Sequence, residues 1–130
     1  MVSNVLRGCR ILVVEDEYLL ADDLARMLGK TGAEVLGPVP SVKEALVLID
    51  EGPPIDGALL DVNLRGEKVF AIADLLRERA IPFAFVTGYE TWALPERFST
   101  LPRMGKPFKM GALIALIEPL FQRQRSLDTP

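Results

Sequence analysis

The sequence predicts an α/β domain built on a parallel sheet, and three observations carry that prediction. Short apolar runs alternate with longer stretches of helical period, the pattern of successive βαβ units. Acidic or otherwise polar residues stop most of the apolar runs abruptly. The 130 residues, 49% hydrophobic and 25% charged, suffice for one packed core and are expected to leave no length for a second folded module.

Each element follows from its residues. Arg10 to Val14 is an apolar run stopped by Glu15-Asp16-Glu17, after which Leu20, Leu24, Met27 and Leu28 recur at helical spacing until Gly32. Glu34 to Val39 is a short β-rich run. Ser41-Val42-Lys43-Glu44 then reads as a capping box opening a helix through Ala45, Leu46 and Ile49, which Gly52-Pro53-Pro54 ends. Ile55 to Leu60 runs into Asp61, and a third helix carries Val69, Ile72, Ala73 and Leu76 up to the Ile81-Pro82 break. Phe83 to Val86 is a fourth strand, stopped by Thr87-Gly88. Between Gly88 and Pro102, Pro95 and Pro102 interrupt any helix; a single turn around Glu96 to Phe98 has helical character, and the segment is expected to be the most mobile. Arg103 to Gly105 is a short fifth strand. Met110, Leu113, Ile114, Ile117, Leu120 and Phe121 make an amphipathic last helix, with Leu116 off its apolar stripe. The expected organisation is an N-terminal extension over 1–9, the domain over 10–121 and a frayed tail over 122–130.

Five strands paired with helices in this order suggest a flavodoxin-like doubly wound sheet with strand order 2-1-3-4-5. Right-handed crossovers put all strand carboxyl ends on one edge, where ligands of such sheets bind. Glu15, Asp16, Asp61, Thr87 and Lys106 stand at those ends. Three converging carboxylates repel one another unless a cation sits among them, and oxygen-only ligation suits Mg²⁺. An aspartate can attack phosphorus, and a metal, an ammonium and a hydroxyl can neutralise the phosphoryl oxygens.

Composition excludes other chemistries. With no histidine, the chain holds no Ser-His-Asp or Cys-His catalytic set and no His-ligated metal. A net charge of −3 argues against a nucleic-acid partner. The single Cys9 excludes an internal disulfide and is expected to be an inert, partly buried thiol. No run is long and apolar enough for a membrane span, and residues 1–9 lack a leader's apolar core, so a cytoplasmic location is expected.

Glu15-Asp16 in ILVVEDE, Asp61 in ALLDVNL, Thr87 in FAFVTGY and Lys106-Pro107-Phe108 in MGKPF, in this order, resemble the receiver domain of bacterial two-component response regulators over Arg10 to Phe121. The resemblance implies that Asp61 is the phosphoacceptor and that Asp16, Asp61 and the backbone carbonyl of Asn63 ligate Mg²⁺, with Glu15 acting through metal-bound water. It also implies that Thr87 and Lys106 engage the phosphoryl group and that Lys106-Pro107 is a cis peptide. Two departures stand out: Arg103 occupies the position where most receivers carry an aromatic switch residue, and Leu64-Arg65 replaces the usual Met-Pro. With IPFAFVTGYE and LPERF, the chain is similar to single-domain FAT GUY receivers, which implies a pliable segment after the fourth strand.

The expected function is therefore a stand-alone receiver in a phosphorelay. It takes a phosphoryl group onto Asp61 from a sensor histidine kinase of HWE or related type, or from a histidine phosphotransfer protein, and signals by protein contact. A downstream protein and a homodimer are partners this reading leaves open. The expected chain is no enzyme beyond its own phosphoryl transfer and slow dephosphorylation. Tyr89, Trp92 and Phe98 are read either as local packing or as a partner surface. The alternatives are a pseudo-receiver that binds partners without phosphorylation, and a Mg²⁺-dependent phosphatase with an aspartyl nucleophile.

Overall fold

The computed structural model describes residues 5–64, 66–87, 94–106 and 108–128, with side chains described as far as Phe121. The elements are β1 (Arg10–Val14), α1 (Tyr18–Gly29), β2 (Glu34–Val39), α2 (Val42–Glu51), β3 (Gly57–Asp61), β4 (Asn63–Leu64), β5 (Glu67–Lys68), α3 (Phe70–Glu78), β6 (Phe83–Thr87), β7 (Arg103–Gly105) and α4 (Met110–Asp128). A 3₁₀ turn spans Glu96–Phe98. The main sheet runs β2-β1-β3-β6-β7, all parallel, which is the expected 2-1-3-4-5 order once the two short strands β4 and β5 are set aside.

The sheet separates two core layers by the side-chain alternation of its strands. Leu12, Val14, Ala58, Leu60, Phe83 and Phe85 face the layer shared with α2 and α3. Ile11, Val13, Leu59, Ala84 and Val86 face the layer shared with α1 and α4. The central strands β3 and β6 are buried along their whole length, which is why they read as unbroken apolar runs. Leu6 and Cys9, just before β1, are fully buried in the second layer, and the Leu6 N–H donates to the Thr31 carbonyl at 3.0 Å. Phe121 of α4 lies so close over β3 that a Cβ at Gly57 would come within 2.5 Å of its ring, so only glycine fits there.

The local signals that worked have visible causes. Ser41 Oγ accepts the Glu44 N–H at 3.2 Å, one half of the expected capping box; the Glu44 carboxylate takes the Ser41 hydroxyl at 2.9 Å in place of its backbone N–H. Two features differ from expectation. After Asp61 the chain makes an antiparallel pair, Asn63↔Lys68 and Leu64↔Glu67, turning through Gly66 at φ +87° and burying Leu64. Strands of two residues carry no readable period, so periodicity could not reveal them. The last helix continues through Asp128, past Gln122 where a frayed tail was expected, and it accommodates Pro119. Leu116 is half-buried against the α1–α4 layer.

Candidate functional site

Because β1, β3, β6 and β7 are parallel neighbours, their carboxyl ends line one edge of the sheet. Glu15 and Asp16 leave the end of β1, Asp61 and Thr87 are the last residues of β3 and β6, and Lys106 follows β7. Ligand oxygens of Glu15, Asp16 and Asp61 all lie within 4.8 Å of one another. The Lys106 ammonium reaches into this group, 3.1 Å from Glu15 Oε1 and 3.4 Å from Asp61 Oδ2. Its backbone N–H donates to the Thr87 carbonyl at 2.9 Å, tying the lysine to the end of β6. Thr87, Glu15 and Asp61 are buried polar residues, and the exposed Asn63 donates its N–H to Asp61 Oδ1 at 3.4 Å.

Among the described residues, Lys106 is the cation that faces these carboxylates. Burial pushes the Asp61 carboxyl up to about 8, and the neighbouring Glu15 carboxylate pushes the same way; Lys106 and the Asn63 N–H only partly offset them. Burial alone would lower the Lys106 ammonium, but Asp61, Glu15 and Glu17 outweigh it and hold the lysine above its ordinary value. Glu15 Oε1 is buried and meets the Lys106 ammonium as an ion pair at 3.1 Å. Three carboxylates offering oxygens within 4.8 Å of one another fit a hard divalent cation, which would lower their mutual repulsion.

One residue at this edge escaped the sequence reading. Glu17, which there marked only the end of an apolar run, places Oε1 3.6 Å from the Lys106 ammonium and donates its N–H to Glu15 Oε2 at 3.1 Å. The signal was the acidic triplet itself. Arg103 stands in register with Phe85, and its guanidinium donates to the Ser99 carbonyl, at the surface. Tyr89 and Trp92, and the Lys106-Pro107 bond expected to be cis, lie outside the described residues. Phe98 is fully buried, so local packing accounts for it.

No family model matches the chain. It is 32% identical over 122 residues to the transcriptional regulatory protein PdtaR of Mycobacterium tuberculosis, covering 91% of this chain and 59% of that protein. It is 32% identical over 123 residues to the phyllosphere-induced regulator PhyR of Methylorubrum extorquens, covering 88% of this chain and 44% of that protein. The chain thus spans about half the length of these curated relatives. The solution structure of SdrG from Sphingomonas melonis Fr1 superposes with a TM-score of 0.78 at 39% identity, covering 86% of this chain and 95% of SdrG. The chain belongs to the receiver domains of two-component response regulators. In this receiver the acids that define the site come from β1 and β3, the pair of strands at the centre of the sheet where the order reverses. Among the described residues no helix is long and apolar enough to cross a membrane.

Proposed function

We propose that this receiver accepts a phosphoryl group on Asp61 from the phosphohistidine of a sensor histidine kinase or a histidine phosphotransfer protein, with Mg²⁺ bound by Asp16, Asp61 and the Asn63 carbonyl, and with Glu15 acting through metal-bound water. The observation that carries this is the convergence of Glu15, Asp16 and Asp61 within 4.8 Å of one another, with the Lys106 ammonium against Glu15 and Asp61. When bound, the cation supplies neutralisation of phosphoryl oxygen charge and favours ionised Asp61. An Asp61 oxygen forms the new P–O bond as the P–N bond to the donor's imidazole breaks, and the electron pair stays on that nitrogen, which takes a proton from solvent. Lys106 then pairs with a phosphoryl oxygen in place of the Asp61 oxygen, and the Thr87 hydroxyl donates to another.

The site carries no histidine and the chain has none, so the phosphoryl donor's imidazole belongs to the partner. Signalling leaves through protein contact rather than through turnover of a substrate, in the cytoplasm, and with the single-domain FAT GUY receivers as the subfamily. An HWE-type kinase is the expected donor. A domain over 10–121 contains every residue this reaction uses.

The test is phosphorylation of the wild-type chain and of Asp61→Asn by a small-molecule phosphodonor, with and without Mg²⁺. Wild type should acquire hydroxylamine-sensitive label only with the metal, and Asp61→Asn none. Label on Asp61→Asn with the same lability overturns the acceptor assignment.

A further inference from the structure

The start of α1 carries a conflict between local preference and use. Glu17 stands at the N-cap, with φ −80° and ψ 109°, and its carbonyl accepts the Ala21 N–H at 2.8 Å as the helix begins. That position favours Ser, Thr, Asp or Asn, whose short side chains reach the free N–H groups of the first turn. The Glu17 side chain makes no such capping bond. Its carboxylate extends to the Lys106 ammonium instead, with Oε1 3.6 Å from Nζ, while its backbone N–H holds Glu15 Oε2 at 3.1 Å. A residue that breaks a local rule while its side chain serves the sheet edge points to a demand set by the site.

Among the described residues Lys106 thus faces three carboxylates, Glu15 at 3.1 Å, Asp61 at 3.4 Å and Glu17 at 3.6 Å. They are not equivalent. The Glu15 and Asp61 side chains are buried, whereas that of Glu17 is 64% exposed and keeps its hydration when it lets go of the lysine. Once a phosphoryl group stands on Asp61, an ammonium hydrogen has to turn from these acids to a phosphoryl oxygen. Glu17 then acts against the phosphoryl group twice over, by drawing Lys106 toward the start of α1 and by setting a negative charge beside an anion.

We propose that Glu17 is a positioning residue for phosphoryl transfer, holding Lys106 toward α1 in the unloaded site and competing with the phosphoryl oxygen for its ammonium. This rests on the receiver reading above. Two substitutions separate the contact from the charge. Glu17→Gln removes the charge and keeps the length. Glu17→Asp keeps the charge, withdraws it from Lys106 by one methylene and supplies a better cap for α1, so impaired folding does not account for its behaviour.

Titrations of the full chain with Mg²⁺ alone, and with beryllofluoride as the phosphoryl mimic at saturating Mg²⁺, test the proposal through the Asp61 and Lys106 amide shifts. Glu17→Gln should bind Mg²⁺ about twofold more weakly, because an anion near the metal is lost, yet bind beryllofluoride about threefold more tightly. Glu17→Asp should bind Mg²⁺ as wild type does and beryllofluoride about twofold more tightly. A merely structural role would move both affinities of Glu17→Gln in the same direction, and that result overturns the proposal. Beryllofluoride affinity unchanged in Glu17→Gln also overturns it, as does Glu17→Asp matching wild type, since charge without contact would then suffice. In each of these cases the receiver reading stands as long as the Asp61 and Lys106 amides of wild type shift on loading. If no amide near Asp61 responds to beryllofluoride in wild type, the receiver reading fails and the role of Glu17 with it.

Discussion

The acid cluster at the sheet edge and the pairing of Asp74 on α3 with Arg97 are built from the same side-chain types, carboxylates with one or two cations, yet they behave oppositely. Asp61 is buried beside Glu15, and its carboxyl is pushed up to about 8; Asp74 is half-exposed in a two-pronged contact with Arg97, which holds its carboxyl below the ordinary range. Burial and the sign of the nearest charge make the difference. The first cluster is a site because buried carboxylates share one ammonium among the described residues; the second is a fastening because Asp74 meets Arg97 through both carboxylate oxygens. Energy for binding a cation or a phosphoryl group comes from relieving the first, and the second offers no such gain.

The largest effect lies in the packing around Phe98. Phe98→Ala should cost about 3–5 kcal/mol, because it empties a nest of three aromatic rings, and chemical denaturation measures it. At the sheet edge, Lys106→Gln removes the only cation contacting the acids among the described residues. It should destabilise the metal-free chain by about 1–3 kcal/mol and increase the stabilisation gained on adding Mg²⁺, read from thermal melts with and without the metal. Asp61→Asn should act with the opposite sign, raising metal-free stability at neutral pH by about 1–2 kcal/mol while weakening Mg²⁺ binding. A metal-free Asp61→Asn chain less stable than wild type would mean that the cluster is not strained.

The smallest effect belongs to Asp74→Asn. Asp74 has a folded pKa below its unfolded value, so its contribution is present at neutral pH and is lost as pH falls through the ordinary carboxylate range toward the folded value. Melting temperatures of wild type and Asp74→Asn should therefore differ at pH 7, converge in acid, and converge also in high salt.

How far the sequence reaches differs between these regions. At the sheet edge the apolar runs had to stop, and the residues that stop them are the ones the topology gathers; Glu15, Asp16, Asp61, Thr87 and Lys106 were legible for that reason. Glu17 was present in the same acidic triplet, but its contact with Lys106 depends on how α1 begins and was not. The Asp74–Arg97 pair was invisible. Asp74, Arg77 and Arg97 look like ordinary surface charges, and nothing local brings residue 74 to residue 97. Nor did the sequence decide that the Arg103 guanidinium donates to the Ser99 carbonyl, which the 3₁₀ turn presents.

The order of strands and helices, the core-facing residues and the set of strand-end side chains were thus determined by the sequence itself, because period and polarity are properties of neighbouring residues. The tertiary structure alone decided the short β4–β5 pair, the contact of Lys106 with Glu15, the elevated Asp61 carboxyl and the burial of Phe98. These depend on distance and dielectric between residues far apart in the chain, and only folding sets those quantities.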